Sequence, residues 1–227
     1  MLVSHQKKII YTKTVKTAGS SVELYFEKYC LNEGEWFFSH AREEYESESG
    51  IIGFRGTMKN RILEPPKWYN HIPAFKIKDY LGETIWTNYF KFCVIRNPFE
   101  KVLSYFFHLV ADKKKITDYP ALIISFREWV KSNNGNTAFD RNAYLIDGTI
   151  CIDFFIRYEN LMEDVNKVCQ IIGVPFEPDR FPQLNTEFKP TMASIENFYN
   201  KETENLILKS FEFEFNYFNF KTSIFDK

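Results

Sequence analysis

A loop of small residues follows the first strongly apolar run of the chain. Residues 15–23 read VKTAGSSVE and come directly after KKIIYTK, residues 7–13. A strand that turns tightly into a helix aims several backbone N–H groups, and the positive end of the helix dipole, at one point. Gly19 there would let a phosphate approach the backbone, Ser20 offers a hydroxyl, and Lys16 supplies a mobile positive charge. The junction therefore predicts phosphate binding, although a helix simply capped by Ser20 is an alternative.

A second stretch, CVIRNPFEKVLSYF at residues 93–106, carries another candidate anion site. Arg96 stands at the end of a predicted buried strand, which is where open α/β sheets bind ligands. Its guanidinium can hold a phosphate with a fork of donors. Ser104 lies eight residues on, about two helical turns away. The alternative is that Arg96 pairs with Glu100 while Ser104 packs inside the helix.

Alternating strands and helices must position these residues. We expect strands at residues 7–13, 35–40, 89–96 and 151–159. We expect helices at residues 20–31, 74–82, 97–110, 126–132, 160–173 and 200–215. Asn97 is the predicted N-cap of its helix, with Pro98 at the first helical position. Residues 41–69 and 176–192 are predicted to be mostly loop. The pattern favours a single α/β domain over residues 1–227, with a mostly parallel central sheet flanked by helices.

Composition excludes several other classes of protein. The 227 residues are 44% hydrophobic with a net charge of −1, so no global basic field favours nucleic acid. The four cysteines show no CxxC spacing, which argues against a structural zinc site. No apolar run approaches the ~18 residues of a membrane span. The first ten residues are too polar for a signal peptide, and these features together predict a cytoplasmic protein that binds no membrane.

Taken together, the two phosphate motifs resemble the sulfotransferase superfamily, specifically its family-2 type. KTVKTAGSSVE at residues 13–23 is similar to the 5′-phosphosulfate loop, usually written K-T-A-G-T-S. VIRNPFEKVLSYF at residues 94–106 is similar to the 3′-phosphate motif of that family. The likeness runs from residue 7 to about residue 211. A Walker A loop, GxxxxGK[ST], is absent, which disfavours a kinase or an ordinary P-loop NTPase.

The resemblance implies a P-loop-like sulfotransferase fold and a 3′-phosphoadenosine 5′-phosphosulfate (PAPS) donor. Sulfuryl transfer to a hydroxyl or amine would leave 3′-phosphoadenosine 5′-phosphate (PAP), and no metal is expected. The 5′-phosphosulfate would be bound by Lys16, Thr17, Ala18, Gly19, Ser20 and Ser21. The 3′-phosphate would be bound by Arg96 and Ser104. His71 falls where related sulfotransferases place a catalytic base, and Lys16 would also stabilise charge on the leaving phosphate.

Some positions depart from the family pattern. Val15 stands where many members have proline, and Ser20 where threonine is commoner. The third region of the family, a basic loop before the last helix, lacks its usual arginine here. It keeps Asn185, Lys189 and the pair Phe198 and Tyr199. The residues that close over the adenine and the acceptor are therefore not assigned.

Other residue patterns leave alternatives open. Glu43 and Glu44 are alternative candidates for the base or for binding a cationic acceptor, and Trp68 and Tyr69 for lining an acceptor pocket. The DKKK run at residues 112–115 is a solvated helix end or a steering charge for an anionic donor. We expect a small-molecule or saccharide acceptor. A non-catalytic nucleotide-binding protein and a nucleotide kinase are the alternative functions, and the oligomeric state is open.

Overall fold

The chain divides into two compact units. The first comprises Met1–Ile95 and Asp140–Leu184, and the second comprises Arg96–Phe139 and Asn185–Lys227. The structure, a computed structural model, describes residues 1–56, 65–110, 119–182, 184 and 194–225. The DKKK run, Asn185 and Lys189 lie outside the described residues. No helix in those described ranges is both long and apolar enough to cross a membrane.

A sheet forms the centre of the first unit. The strands, in chain order, are β1 (Leu2–Ser4), β2 (Ile9–Tyr11), β3 (Tyr45–Glu46), β4 (Gly50–Ile52), β5 (Phe90–Ile95), β6 (Leu145–Ile146), β7 (Thr149–Ile150) and β8 (Phe154–Arg157). Within the described residues, six of them form one sheet in the order β3-β4-β1-β2-β5-β8, while β6 and β7 form a separate hairpin.

The strand directions divide this sheet. β2 pairs in parallel with β5, and β5 in parallel with β8. β1 runs antiparallel to both β2 and β4, and β3 runs antiparallel to β4. Four strands, β2, β4, β5 and β8, therefore point the same way, and β1 and β3 oppose them. The α/β class with a mostly parallel central sheet is confirmed, with its parallel neighbours at the β2-β5-β8 side.

The helices, in chain order, are α1 (Gly19–Glu27), α2 (Ala74–Leu81), α3 (Glu83–Asn88), α4 (Pro98–Val110), α5 (Tyr119–Ser132), α6 (Leu161–Ile171), α7 (Ile195–Phe198), α8 (Lys201–Ser210) and α9 (Glu212–Tyr217). In the first unit, α1 and α6 contribute to one buried cluster and α2 and α3 to another. Because side chains alternate along a strand, Ile9 and Tyr11 of β2 enter the first cluster and Ile10 enters the second. Both faces of the sheet are thus covered.

Two sequence-based assignments in the first unit need correction. The strand predicted at residues 35–40 is wrong, since those residues form irregular structure. Its neighbouring Phe37 and Phe38 are 62% and 50% exposed, so the run lacks a buried alternate face. Conversely, β3 and β4 lie in a stretch predicted to be loop. Gly50 explains β4, because a Cβ there would collide with the carbonyl oxygen of Val3 on β1.

The second unit consists of α4, α5 and the helices from α7 to α9. The amide of Phe99 donates to the Asn97 side chain at 3.0 Å, which confirms Asn97 as the cap of α4. The helix predicted at residues 200–215 is divided in two, because α8 ends at Ser210 and α9 begins at Glu212. Phe198 and Tyr199 are buried in this unit, and the Tyr199 hydroxyl donates to the carbonyl oxygen of Phe99 at 2.8 Å.

Candidate functional site

The loop between β2 and α1 has the backbone shape of an anion site. Lys16 and Ala18 adopt left-handed conformations, with φ of 57° and 60°, while Thr17 between them does not. Alternation of this kind turns successive N–H groups toward one concavity. Four consecutive backbone N–H groups, those of Thr17, Ala18, Gly19 and Ser20, each lack a hydrogen-bond acceptor among the described residues. The loop therefore presents a row of donors at a helix N-terminus.

The side chain of Thr17 points away from this row of donors. Thr17 is fully buried, and its hydroxyl lies 2.8 Å from the hydroxyl of Thr14. The Thr14 hydroxyl in turn donates to the carbonyl oxygen of Val94 on β5. These bonds tie the loop to the neighbouring parallel strand. An anion at the loop can thus be bound by the backbone of Thr17 and not by its hydroxyl.

Gly19 has a packing role that its sequence context does not reveal. A Cβ at this position would lie 3.1 Å from both the Lys13 Cγ and the Tyr11 hydroxyl, and 3.3 Å from the Thr14 carbonyl oxygen. The Tyr11 hydroxyl donates to the Gly19 carbonyl oxygen at 3.2 Å. The absent side chain therefore allows the first turn of α1 to sit directly on β2 and on the start of the loop.

His71 lies beside the loop and is held in one orientation. Its Nδ1 is 3.0 Å from the carbonyl oxygen of Lys13, three residues before Lys16. A carbonyl oxygen only accepts, so Nδ1 must carry the proton, and the neutral ring then has an unprotonated Nε2. His71 itself has a left-handed backbone with φ of 59°. Part of its surface reaches solvent, while the bonded side of the ring packs against the loop. The imidazole thus offers a proton acceptor to a molecule that binds from solvent.

The surroundings of His71 keep its ring neutral. Loss of hydration beside the loop, together with the nearby ammonium of Lys13, lowers the pKa of His71 to about 4. The carboxylate of Asp140 acts in the opposite direction. The sequence led us to expect a histidine with an ordinary pKa. The difference arises first from the loss of hydration and then from the ammonium of Lys13, and neither is visible in the sequence.

Lys13 connects the loop, α1 and the His71 segment. Its buried ammonium donates to Glu23 on α1 at 2.6 Å and to the side-chain oxygen of Asn70 at 3.0 Å. Glu23 is fully buried and also lies 3.2 Å from Arg55 and 2.5 Å from the amino group of Met1. Burial alone would raise the pKa of Glu23, but these cations outweigh it and hold the pKa far below its usual range.

Asp140 is a further residue at the loop that the sequence did not single out. It is 4% exposed, and its Oδ2 accepts the N–H of Val15 at 2.6 Å. The two residues are 125 positions apart. No spacing pattern links them, so sequence reasoning had no signal for this contact.

In the second unit, Arg96 and Ser104 lie along one side of α4. Arg96 directly precedes the helix, and its Nε donates to Glu100 at 3.1 Å. This is the ion pair that the sequence raised as an alternative to phosphate binding. Ser104 follows Glu100 by four residues, which places both on the same helix face, and it is half-buried. The structure thus brings Arg96 and Glu100 together and aligns Ser104 with them.

The other candidates have structural partners. Glu44 accepts the backbone N–H of Trp68 at 3.0 Å, and Trp68 is 1% exposed within the cluster formed by α2 and α3. A buried indole does not present a surface to an acceptor, so Trp68 is removed from the list of pocket candidates. In the described part of the chain, no group of three or more His, Cys, Asp or Glu side chains is arranged to hold a metal.

Comparison with known proteins assigns the class of the molecule. The chain belongs to the sulfotransferase family, which matches residues 1–221. It is also similar to an uncharacterized protein of Archaeoglobus fulgidus, with 36% identity over 111 residues, covering 48% of this chain and 88% of that protein. No solved structure matches the chain.

Proposed function

We propose that the protein transfers a sulfuryl group from PAPS to a hydroxyl or amine of an acceptor, releasing PAP. The observation that carries this proposal is the placement of His71. A neutral imidazole, with Nε2 left as the proton acceptor, is hydrogen-bonded to the residue from which the predicted donor loop begins. Membership of the sulfotransferase family supports the same activity.

The loop between β2 and α1 fits the 5′-phosphosulfate in chemical terms. N–H groups with no acceptor in the described part of the chain, at a helix N-terminus, favour an anion, and Lys16 adds a full positive charge. We assign the backbone of Thr17, Ala18, Gly19 and Ser20, the ammonium of Lys16, and Ser21 in the first turn of α1 to this group. During transfer, Lys16 and the N–H groups would stabilise the negative charge that develops on the leaving phosphate.

His71 is assigned as the general base. Sulfuryl transfer forms a bond from the acceptor atom to sulfur and breaks the bond from sulfur to the bridging oxygen of the donor. The proton of the acceptor hydroxyl or amine would pass to Nε2 of His71. Lys13 holds the ring through its carbonyl oxygen, so Nε2 stays turned away from that bond. Positioning and charge stabilisation would supply most of the acceleration.

The second phosphate of the donor is assigned from the motif on α4. We propose that Arg96 and Ser104 bind the 3′-phosphate, as the resemblance of residues 94–106 implies. This assignment is carried by the motif alone, because Arg96 donates to Glu100 and a 3′-phosphate would have to share or replace that carboxylate. We further propose that residues 1–227 form a single sulfotransferase domain, which the family match over residues 1–221 supports.

The acceptor is proposed to be a small molecule or a saccharide. We would test the donor and acceptor separately, first by thermal shift with PAP, AMP and ATP–Mg²⁺. A ligand present at 100 times its Kd should stabilise the fold by about 2.7 kcal/mol. We expect PAP to stabilise most. Acceptors would then be screened with labelled PAPS.

The outcomes separate the three functional classes. Preference for ATP–Mg²⁺ over PAP would contradict the proposal and favour a nucleotide kinase. Binding of PAP without transfer to any acceptor in a broad screen of phenols, alcohols, amines and saccharides would favour a non-catalytic nucleotide-binding protein. Transfer that is abolished in His71→Ala would support the proposed mechanism.

A further inference from the structure

Asp140 makes a contact that the proposed reaction does not use. It is the residue at which the chain re-enters the first unit, after the segment that belongs to the second. Its own carbonyl oxygen accepts the N–H of Ala143 at 2.9 Å, which fixes its backbone at the start of a short 3-10 turn. Its side chain is buried and reaches Val15. A buried carboxylate therefore contacts Val15, within the loop between β2 and α1.

A carboxylate next to an anion site is costly unless it has a structural task. Like charges repel strongly where water is excluded, so Asp140 opposes the binding of a phosphate nearby. Against this, a hydrogen bond to an ionised acceptor is about twice as strong as a neutral one. Val15 lies one residue before Lys16 and three before Ala18, whose left-handed conformations shape the row of donors. Holding the Val15 N–H limits the conformations open to those residues.

We propose that Asp140 is a positioning residue that orders the donor loop by accepting the N–H of Val15. The expected effect on PAP affinity rests on the proposed function. The ordering of the loop does not, because it is a property of the free protein. The hydrogen bond holds the Val15 N–H on Asp140. The N–H groups that follow, from Thr17 to Ser20, are then left to bind the anion.

The two effects of Asp140 can be separated by substitution. Asp140→Asn removes the negative charge but keeps a side-chain oxygen that can accept the Val15 N–H. Asp140→Ala removes both. If Asp140 orders the loop, Asp140→Ala should weaken PAP binding by about tenfold or more, whereas Asp140→Asn should bind PAP as well as the wild type or better. If Asp140 only repels the anion, both variants should bind PAP more tightly, and the proposal would be wrong.

Asp164 provides a matched control. It is also 4% exposed, and its Oδ2 accepts a backbone N–H, that of Arg157, at 2.9 Å. Asp164→Ala removes the same kind of bond away from the loop. We expect its PAP affinity to stay within about twofold of wild type even if its stability falls. Equal loss of PAP affinity in Asp140→Ala and Asp164→Ala would show that Asp140 acts only through general stability.

Hydrogen exchange tests the ordering without any ligand. The amides of Ser21 and Val22, which donate to the carbonyl oxygen of Ala18, should exchange faster in Asp140→Ala than in wild type, and not in Asp140→Asn or Asp164→Ala. Unchanged exchange in Asp140→Ala would overturn the proposal, whatever the protein binds. Failure of wild-type protein to bind PAP would instead contradict the proposed function, and the exchange data would still decide the role of Asp140.

A double substitution gives an independent check. Val15→Pro removes the N–H and restricts φ, and it installs the residue that many family members carry. If the Asp140–Val15 bond is what orders the loop, Val15→Pro should recover PAP affinity when combined with Asp140→Ala. Losses of the two substitutions that simply add would show that the residues act separately.

Discussion

The ring nitrogen Nδ1 of His71 lies 3.0 Å from the carbonyl oxygen of Lys13, so a proposed base and the strand end before the donor loop are directly bonded. The bond fixes which nitrogen of the ring is free. A second bond links the segment around residue 71 to the loop, since the Lys13 ammonium donates to the side chain of Asn70. Lys13 therefore positions both the loop proposed to bind PAPS and the residue proposed to accept the proton.

Removal of the proposed base should reduce turnover without reducing donor binding. We expect His71→Ala to lower kcat by ~10²–10⁴ while the Kd for PAP changes little. His71→Asn keeps an N–H that can donate to Lys13 but cannot take a proton at neutral pH, so it should lose as much activity. His40→Ala, at an exposed histidine of the same unit, is the control. Near-native turnover in His71→Ala would return the base role to a carboxylate such as Glu43.

The pKa of His71 predicts the acid side of the pH profile. With a pKa of about 4, the ring of the free enzyme stays neutral well below the ordinary histidine value of 6.5. We expect kcat/KM for the donor to fall only as the pH drops through about 4. The bound donor adds negative charge that favours the imidazolium, so the acid limb of kcat should lie at higher pH. A limb in kcat/KM near 6.5 would contradict the environment described for His71.

The lowered pKa of His71 also makes the stability of the fold depend on pH. Between pH 6.5 and about 4, the unfolded chain binds a proton at His71 that the folded protein does not. The contribution of His71 to the free energy of unfolding therefore decreases as the pH falls through this window. Denaturant unfolding of His71→Asn and wild type at several pH values should show a smaller loss of stability in the variant.

Lys16 should matter for both binding and turnover. In the proposed mechanism its ammonium faces a phosphate in the ground state and the developing charge in the transition state, so Lys16→Ala should weaken PAP binding and lower kcat. We expect a loss of roughly tenfold or more in affinity. Lys67→Ala is the control, since Lys67 is an exposed lysine of the same unit that pairs with Glu46. A similar loss in both variants, measured by calorimetry, would indicate only a general charge effect.

Arg96 should distinguish ligands by their 3′-phosphate. PAP carries this group and AMP does not, so Arg96→Ala should weaken PAP by about 10- to 150-fold and leave AMP nearly unchanged. Arg180→Ala is a suitable control, because Arg180 also pairs with a nearby carboxylate, that of Glu177 at 2.9 Å. Equal losses for the two nucleotides in Arg96→Ala would remove the 3′-phosphate assignment.

Local sequence patterns predicted much of the fold. β2, β5 and β8 and the helices that follow them were predictable, because apolar runs, Asn97 and glycine punctuation act over a few residues. β1 and β4 were not, since they depend on pairing with each other, as in Leu2 opposite Ile52, between parts of the chain that are far apart in sequence. The close approach of Gly50 to Val3 is what makes β4 possible. Such contacts exist only once the chain has folded.

The candidate site was predictable in its residue types but not in its connections. The loop at residues 16–21 was proposed from its motif and His71 from the family resemblance, whereas the bond of His71 to Lys13 joins residues 58 apart. The contact of Asp140 with Val15 joins residues 125 apart. The left-handed backbone of Ala18 also leaves no trace in the sequence, because alanine is not a residue that favours this conformation.

The left-handed backbone at Lys16 and Ala18 implies that the loop is preorganised. For residues with a Cβ, this conformation costs roughly 1–2 kcal/mol each, and the cost is incurred when the chain folds. A ligand then meets N–H groups that already converge, so less conformational entropy is lost on binding. Glycine at position 18 would relieve the strain but widen the choice of loop conformations. The strained turn thus lowers thermal stability but fixes the binding conformation before the ligand arrives. Ala18→Gly should therefore stabilise the fold and weaken PAP binding.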